Sequence, residues 1–274
     1  MNDDVDIVAA RAEHHADFVR LFRELGVDDP LPPVERWLVE MAADSFFLVE
    51  GGRAVAYGYG NVLADSGYVR HVAVEPQQRG RGLGRRLMLE HARRFREAAC
   101  ERWQLNVLAS NAVAIALYRS LGMEIDFTTW VVRIAPSDVA RLPNSKRRTQ
   151  LREVRSSEDA ALEAKFDLSR GLLDTFRCKH GQQVLALFEV GDPERAPLGV
   201  ARFDPAYPGC FPFCVVEPSL ARNLIEPLLP QIAPSARWIQ FVIERDRPLT
   251  SALLDAGATV HFEIVHMSGT LPRA

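Results

Sequence analysis

The chain lacks the many cysteines and the long apolar runs that are typical of disulfide-rich and membrane-spanning proteins. It has only four cysteines, at positions 100, 178, 210 and 214, so a disulfide scaffold is excluded and no metal is expected. A zinc pair at Cys210 and Cys214 stays open only as an alternative. The longest run without a charged residue covers 103–118, which includes two asparagines and a glutamine. Such a run is too short and too polar to span a membrane.

Neither sign of charge dominates the sequence. The 33 lysines and arginines stand against 36 aspartates and glutamates, a net charge of −3 that gives no reason to expect a nucleic-acid partner. The first residues, MNDDVDIV, are acidic and contain no apolar run, so we expect no signal peptide and a cytoplasmic protein. A length of 274 residues with 47% hydrophobic content favours two globular domains.

What the sequence does contain is a strand followed by a glycine-rich loop and a helix. Residues 69–74 are mostly apolar and rich in valine, which predicts a buried strand that Pro76 ends. Gly80, Gly82 and Gly84 then lead into a segment with helical apolar spacing. The start of a helix exposes unpaired N–H groups and partial positive charge, and glycines let a phosphate approach them. This pattern predicts an anion site.

Two better-known phosphate loops do not fit these residues. A dinucleotide fingerprint needs a third glycine where Arg85 stands. A Walker loop needs a terminal Gly-Lys-Ser/Thr, which is absent here.

A second segment, 105–123, makes the pattern specific. After a predicted strand come Asn111, the triplet Ala-Leu-Tyr at 116–118, and Leu-Gly at 121–122. With Arg79, Gly82 and Gly84 of the first segment, these residues resemble motifs A and B of the GNAT superfamily of acyl-CoA-dependent N-acyltransferases. The resemblance covers about residues 4–135.

The resemblance implies an α/β (α+β) domain, a mixed and mainly antiparallel sheet flanked by helices, that uses acetyl-CoA as cosubstrate. It implies that the strand backbone contacts pantetheine and the acetyl oxygen, that the loop amides bind the pyrophosphate, that Asn111 contacts pantetheine, and that Tyr118 protonates the leaving thiolate. The strand and loop residues in these roles would be Val72, Ala73, Val74, Arg79, Gly80, Arg81, Gly82, Leu83, Gly84 and Arg85. Taken alone, Ser110 or Asn111 also suits the N-cap of the following helix.

The sequence offers more than one candidate for the general base. A lysine-like amine is neutral only about once in 2,500 molecules at pH 7, which costs roughly 4.6 kcal/mol. N-terminal protein acetyltransferases that share this strand often carry glutamate where this chain has Asn106, which cannot accept the proton. His71 has a suitable unperturbed pKa and is the candidate base, whereas a lone histidine on a strand is more often structural. Glu75 and Arg70 are weaker candidates.

The second half of the chain repeats the first without its chemistry. Residues 73–76 (AVEP) recur as 215–218 (VVEP), and 102–103 (RW) recur as 237–238. Residues 79–84, RGRGLG, correspond to ARNLIE, where Glu226 would repel a phosphate; Asn111 and Tyr118 correspond to Asp246 and Leu253. We therefore predict tandem GNAT-like domains, a catalytic one at 1–135 and a degenerate one at 151–274, joined by a linker at 136–150.

The leading hypothesis is an N-acetyltransferase that acts on a small amine, as a monomer or homodimer. Asp28, Asp29 and Trp37 fall where the family builds its acceptor wall and would suit a cation. One alternative is acetylation of a protein amine, N-terminal or lysine. The other is a CoA-binding regulatory protein without turnover, which would have no need of Tyr118.

Overall fold

The computed structural model describes residues 5–26, 31–179, 181–191 and 196–272, so the predicted acceptor-wall residues Asp28 and Asp29 lie outside the described residues. The chain divides into two compact units. The first comprises the described residues up to 107, residues 111–126 and the described residues from 266 onward. The second comprises residues 108–110 and 127–265. The segment predicted as a linker, 136–150, lies in the second unit and includes a 3-10 turn at Pro136–Arg141.

Ten elements make up the first half of the chain. In order they are β1 (Val5–Ala9), α1 (His15–Phe22), α2 (Val34–Glu40), β2 (Ser45–Glu50), β3 (Arg53–Leu63), β4 (Ser66–Val74), α3 (Leu83–Glu97), β5 (Arg102–Leu108), α4 (Ala112–Arg119) and β6 (Met123–Ile134). The predicted strand, helix, strand and helix of the two motifs are β4, α3, β5 and α4.

The second half repeats this order with a much shorter third helix. Its elements are β7 (Thr149–Glu153), α5 (Asp159–Lys165), α6 (Leu172–Arg177), β8 (Gln183–Glu189), β9 (Gly199–Asp204), β10 (Gly209–Val215), α7 (Ala221–Ile225), β11 (Ile239–Glu244), α8 (Arg247–Asp255) and β12 (Thr259–Thr270). Short 3-10 turns occur at Ala12–His14, Arg23–Leu25, Ala42–Asp44, Pro76–Gln78, Ser156–Glu158, Pro218–Leu220 and Glu226–Gln231. None of the described helices has the length and apolarity to cross a bilayer.

Each unit has a mixed, mainly antiparallel sheet, which confirms the predicted fold class. In the first unit the strand order is β1-β2-β3-β4-β5, and the end of β12 follows β5. The second unit has the order β6-β11-β10-β9-β8-β7. Two strand pairs, β4–β5 and β10–β11, are parallel. Antiparallel pairing joins β1–β2, β2–β3, β3–β4, β6–β11, β7–β8, β8–β9 and β9–β10. The parallel pair therefore recurs at the same place in both halves.

Helices cover both faces of the first sheet because its strands alternate apolar side chains between two cores. On one face, Phe18 of α1 and Trp37 of α2 pack with Tyr57 of β3 in one buried cluster. On the other face, Leu83 and Leu87 of α3 pack against β2 and β3. In β4, Ala73 belongs to the first cluster, whereas Val72 and Val74 pack against the second.

The end of β12 completes the first unit beside β5. The backbone N–H of Leu271 donates to the carbonyl of Glu101 at 3.0 Å, and Arg102 donates to the hydroxyl of Ser268 at 3.2 Å. This segment thereby brings side chains from the far end of the sequence to the edge of the strand that carries Asn106.

Candidate active site

β4 and β5 separate part of the way along their length. Their parallel register runs from Ser66–Arg102 to Val69–Leu105, but β4 continues to Val74 and β5 to Leu108. On its other edge β4 stays paired with β3 as far as Val74. Beyond Val69 the inner edge of β4 therefore turns its backbone groups toward an opening and not toward β5, and Val72, Ala73 and Val74 lie along it. Backbone groups in that position are ready to bind an extended amide-containing ligand.

A β-bulge lies at the point of separation. Tyr59 pairs with His71 and Gly60 with Val69, so Arg70 is an extra residue in β4. Its guanidinium lies 3.8 Å from the ring centroid of Tyr68. A bulge bends the strand and increases its local twist, which accounts for the divergence from β5.

The glycine loop brings the start of α3 to the same end of β4. Gly80 and Gly82 have φ angles of +77° and +80°, which only glycine adopts easily. Gly82 is the N-cap of α3 and has no side chain to cap it. The first-turn amides of Leu83, Gly84 and Arg85 therefore have no partner within the helix and can bind an anion.

The arginines of this loop are held by other side chains. Arg79 bonds the carbonyl of Val74 at 3.1 Å and the Glu24 carboxylate at 2.8 Å. Arg81 reaches Glu50 through two bonds of 2.9 and 2.6 Å and holds the pKa of that carboxyl below its usual range. Arg85 donates to Ser120 at 3.1 Å. These contacts fix the loop, and its backbone amides carry the capacity for anion binding.

Helix α4 presents the two predicted motif B residues. Asn111 is its N-cap, since its Oδ1 accepts from the N–H of Ala114 at 3.1 Å; of the two candidate caps, Asn111 is the one used. Tyr118, only 7% exposed, lies one residue before the end of the helix. Burial raises its pKa to about 12, so the phenol keeps its proton at neutral pH.

The candidate bases named from the sequence occupy different surroundings. His71 lies on β4 among aromatic rings, 5.2 Å from Phe22 and 5.1 Å from Tyr59 between ring centroids. Glu75 is buried, and its carboxylate pairs with Arg20 at 3.0 Å and with Arg53. Glu75 is thus engaged in a structural ion-pair network at the end of β4. Among the described residues, no group of three or more histidines, cysteines and carboxylates is placed to hold a metal ion.

One polar group at the opening could not be predicted from sequence. Asn106 follows the last residue of β5 that pairs with β4. It bonds the hydroxyl of Tyr68 at 2.9 Å and the ring of His266 at 2.9 Å. His266 comes from β12, 160 residues further along the chain. No local motif marks it, because the contact depends on the placement of the last strand.

The second unit keeps this scaffold and lacks its ligand groups. The parallel register of β10 with β11 covers two residue pairs, and β10 has its own register shift between Cys210 and Phe213. Asp246 caps α8 by accepting from Leu249 at 2.9 Å, as Asn111 caps α4. Glu226, however, follows α7 and pairs with Arg222 at 2.7 Å. No glycine precedes α7 to open its first turn.

Comparison with known proteins agrees with this geometry. Residues 10–123 match the Acetyltransferase (GNAT) family. The chain is 36% identical over 78 residues to the [ribosomal protein bS18]-alanine N-acetyltransferase of Escherichia coli strain K12, covering 28% of this chain and 53% of that protein. It is 39% identical over 93 residues to the mycothiol acetyltransferase of Saccharomonospora viridis, covering 30% of each. The chain therefore spans about half the length of the first relative and less than a third of the second.

A solved structure extends the similarity to both halves. A tandem GNAT protein from the clavulanic acid biosynthesis pathway superimposes with a TM-score of 0.68 at 16% identity, covering 98% of this chain and 99% of that one. At this identity the match shows the fold, and that fold is the tandem arrangement predicted from the internal repeat. With the separated strands, the glycine loop and the matched motifs together, residues 10–123 form a domain of the GNAT acetyltransferase family.

Proposed function

We propose that this protein transfers the acetyl group of acetyl-CoA to a primary amine, in a complex that holds both substrates at once. The observation that supports this most directly is the opening between β4 and β5, which leads to the uncapped start of α3 at Gly82. In this proposal the extended thioester arm lies in the opening and the pyrophosphate lies at the loop. The relatives are named as acetyltransferases, which supports the same chemistry.

In the proposed reaction the residues of the first unit have separate tasks. The amides of residues 80–85 bind the pyrophosphate, and the backbone of residues 72–74 orients the thioester. The N–H of Arg79, also predicted for this role, already donates to the carbonyl of Pro76 at 3.3 Å. Asn111 keeps its side-chain NH₂ available for the pantetheine arm while its oxygen caps α4. The amine nitrogen attacks the acetyl carbon, the C–S bond breaks, and the sulfur takes the phenol proton of Tyr118. His71, on the β4 edge, is the base predicted from the sequence alone.

The acceptor is proposed to be a small molecule, and the protein is proposed to act in the cytoplasm. The relatives named for mycothiol support a small acceptor, whereas the relative named for the alanine of bS18 supports a protein amine as the second candidate. A panel that includes glucosamine, spermidine and a short peptide beginning with alanine separates the two. Release of CoA thiol from acetyl-CoA is the readout, and a higher kcat/KM for the peptide would favour the protein acceptor.

Binding of the cosubstrate is tested by Gly82→Asp with a matched control. The new side chain adds a negative charge at the proposed pyrophosphate site, and we expect acetyl-CoA binding to fall at least about 100-fold, a loss of about 2.7 kcal/mol. Gly52→Asp is the control, because Gly52 has the same φ of +80° and the same open surroundings but lies in the β2–β3 turn. Calorimetry should show wild-type affinity for the control. Equal losses in both variants would contradict the proposed loop site.

A further inference from the structure

A connected polar group lies at the mouth of the opening between β4 and β5. It consists of Tyr68 on β4, Asn106 on β5, Asp126 on β6 and His266 on β12, all within the first unit. Tyr68 precedes the last residue of β4 that pairs with β5, and Asn106 follows the last residue of β5 that pairs with β4. The group is therefore placed where the two strands begin to separate, next to the backbone proposed to hold the thioester.

The hydrogen bonds within this group define which nitrogen of His266 is basic. The NH₂ of Asn106 donates to the Tyr68 hydroxyl at 2.9 Å, which turns the Asn106 oxygen toward His266. That oxygen lies 2.9 Å from Nδ1 of His266 and can only accept. Nδ1 therefore carries the proton in the neutral ring, and the lone pair is on Nε2.

Nε2 faces a carboxylate that can stabilise it once it is protonated. It lies 3.8 Å from Oδ2 of Asp126, whose side chain is 37% exposed, whereas the side chain of His266 is 8% exposed. The ring of Tyr68 lies 6.4 Å from that of His266 between centroids, and the Arg70 guanidinium lies over the Tyr68 ring. A carboxylate within about 4–6 Å favours the imidazolium form.

We infer that His266 is the general base of the reaction, that Asp126 stabilises the imidazolium, and that Asn106 is a positioning residue that fixes the tautomer. This inference rests on the proposed function. His266 has both a tautomer-setting hydrogen bond, to Asn106, and a carboxylate partner, Asp126. The base would come from β12, which lies beside β5 on the edge away from β4.

The proposed acetyl transfer releases one proton to solvent for each ammonium group that is acetylated. Nε2 of His266 takes one proton from the ammonium group, and the neutral amine attacks the acetyl carbon. The C–S bond breaks, the sulfur takes the proton of Tyr118, and the tyrosinate regains the proton that the nitrogen loses as the amide forms. The imidazolium then releases its proton to solvent.

The test compares His266→Asn with His261→Asn, a control on the same strand. The asparagine amide can replace the Nδ1–H bond to Asn106 but cannot act as a base. We therefore expect kcat/KM at pH 7 to fall about 10²- to 10⁴-fold. The affinity for acetyl-CoA should stay within about twofold of the wild-type value. The deficit should shrink toward pH 10, where neutral amine becomes abundant. The control should keep wild-type turnover and pH profile. The substrates are acetyl-CoA and the best acceptor of the amine panel.

A second variant keeps the inference testable if His266→Asn does not fold. Asp126→Asn changes a partly exposed side chain and removes the carboxylate facing Nε2, so the acid limb of the kcat/KM profile should move to lower pH. If His266→Asn kept the wild-type rate, or if the acid limb of Asp126→Asn did not move, the assignment of His266 would be overturned. The proposed function would then still stand. Acetyl-CoA binding without turnover of any acceptor by the wild type would overturn the proposed function, and the assignment with it.

Discussion

His91 on α3 should determine how the first unit responds to mild acid. Its ring is 1% exposed and lies between Phe46 and Phe95, with centroid separations of 4.9 and 5.7 Å. Burial lowers its pKa to about 3, against an ordinary value of 6.5, although the backbone of His71 and the charge of Glu90 act in the opposite direction. The neutral ring packs behind the bulged strand at the opening.

The sign and size of the effect follow from this shift. Because the folded pKa is depressed, the unfolded chain binds a proton between pH 6.5 and about 3 that the folded chain does not. The stability from neutral His91 is therefore fully present above pH 6.5 and is lost as the pH falls toward 3. One proton costs about 1.4 kcal/mol per pH unit, so about 2 kcal/mol should be lost between pH 7 and 5, and at most about 5 kcal/mol in all.

Urea unfolding at pH 7 and pH 5 measures this loss. The window lies above the ordinary carboxylate range, which limits the contribution of acidic groups. His91→Leu and His91→Gln remove the titrating group, so the free energy of unfolding should change about 2 kcal/mol less between the two pH values than in wild type. The absolute stability of each variant does not enter the comparison. If both variants kept the wild-type pH dependence, the assignment of the acid sensitivity to His91 would be wrong.

Two further predictions concern the proposed reaction. Tyr118→Phe should lower turnover about 10²- to 10⁴-fold and change acetyl-CoA affinity little. Because burial raises the pKa of Tyr118 to about 12, ionisation of this residue should not lower the wild-type rate at any pH below about 11. A wild-type rate in the phenylalanine variant would assign the proton to water instead. Calorimetry should find one acetyl-CoA per chain, because the segment before Glu226 has no glycine loop, and two equivalent sites would contradict this.

The glycine loop and its helix could be predicted from sequence because both depend on neighbours along the chain. Positive φ angles at Gly80 and Gly82 are a local property of glycine, and the apolar spacing of α3 is a property of one segment. The absence of these glycines from the matching segment of the second half could be predicted from sequence for the same reason. The similarity between segments of the two halves predicts the repeat, and the tandem fold confirms it.

The shape of the candidate site was decided by the tertiary structure. The point at which β4 and β5 separate depends on the register of two strands that α3 separates in the sequence. The alternation of apolar and polar residues does not reveal that Arg70 is an extra residue in β4. Glu75 was named from sequence as a weak candidate base, but its partners, Arg20 and Arg53, are distant in the chain.

The sequence by itself determined the family resemblance, the fold class, the glycine loop, the helix that Asn111 caps and the lack of a second loop, since each depends on residues close together in the chain. Only the tertiary structure placed the end of β12 in the first unit and His266 against Asn106 across 160 residues. The reason is physical: strand pairing is set by backbone hydrogen bonds and side-chain packing between distant segments, and no local pattern records which distant strand completes an edge.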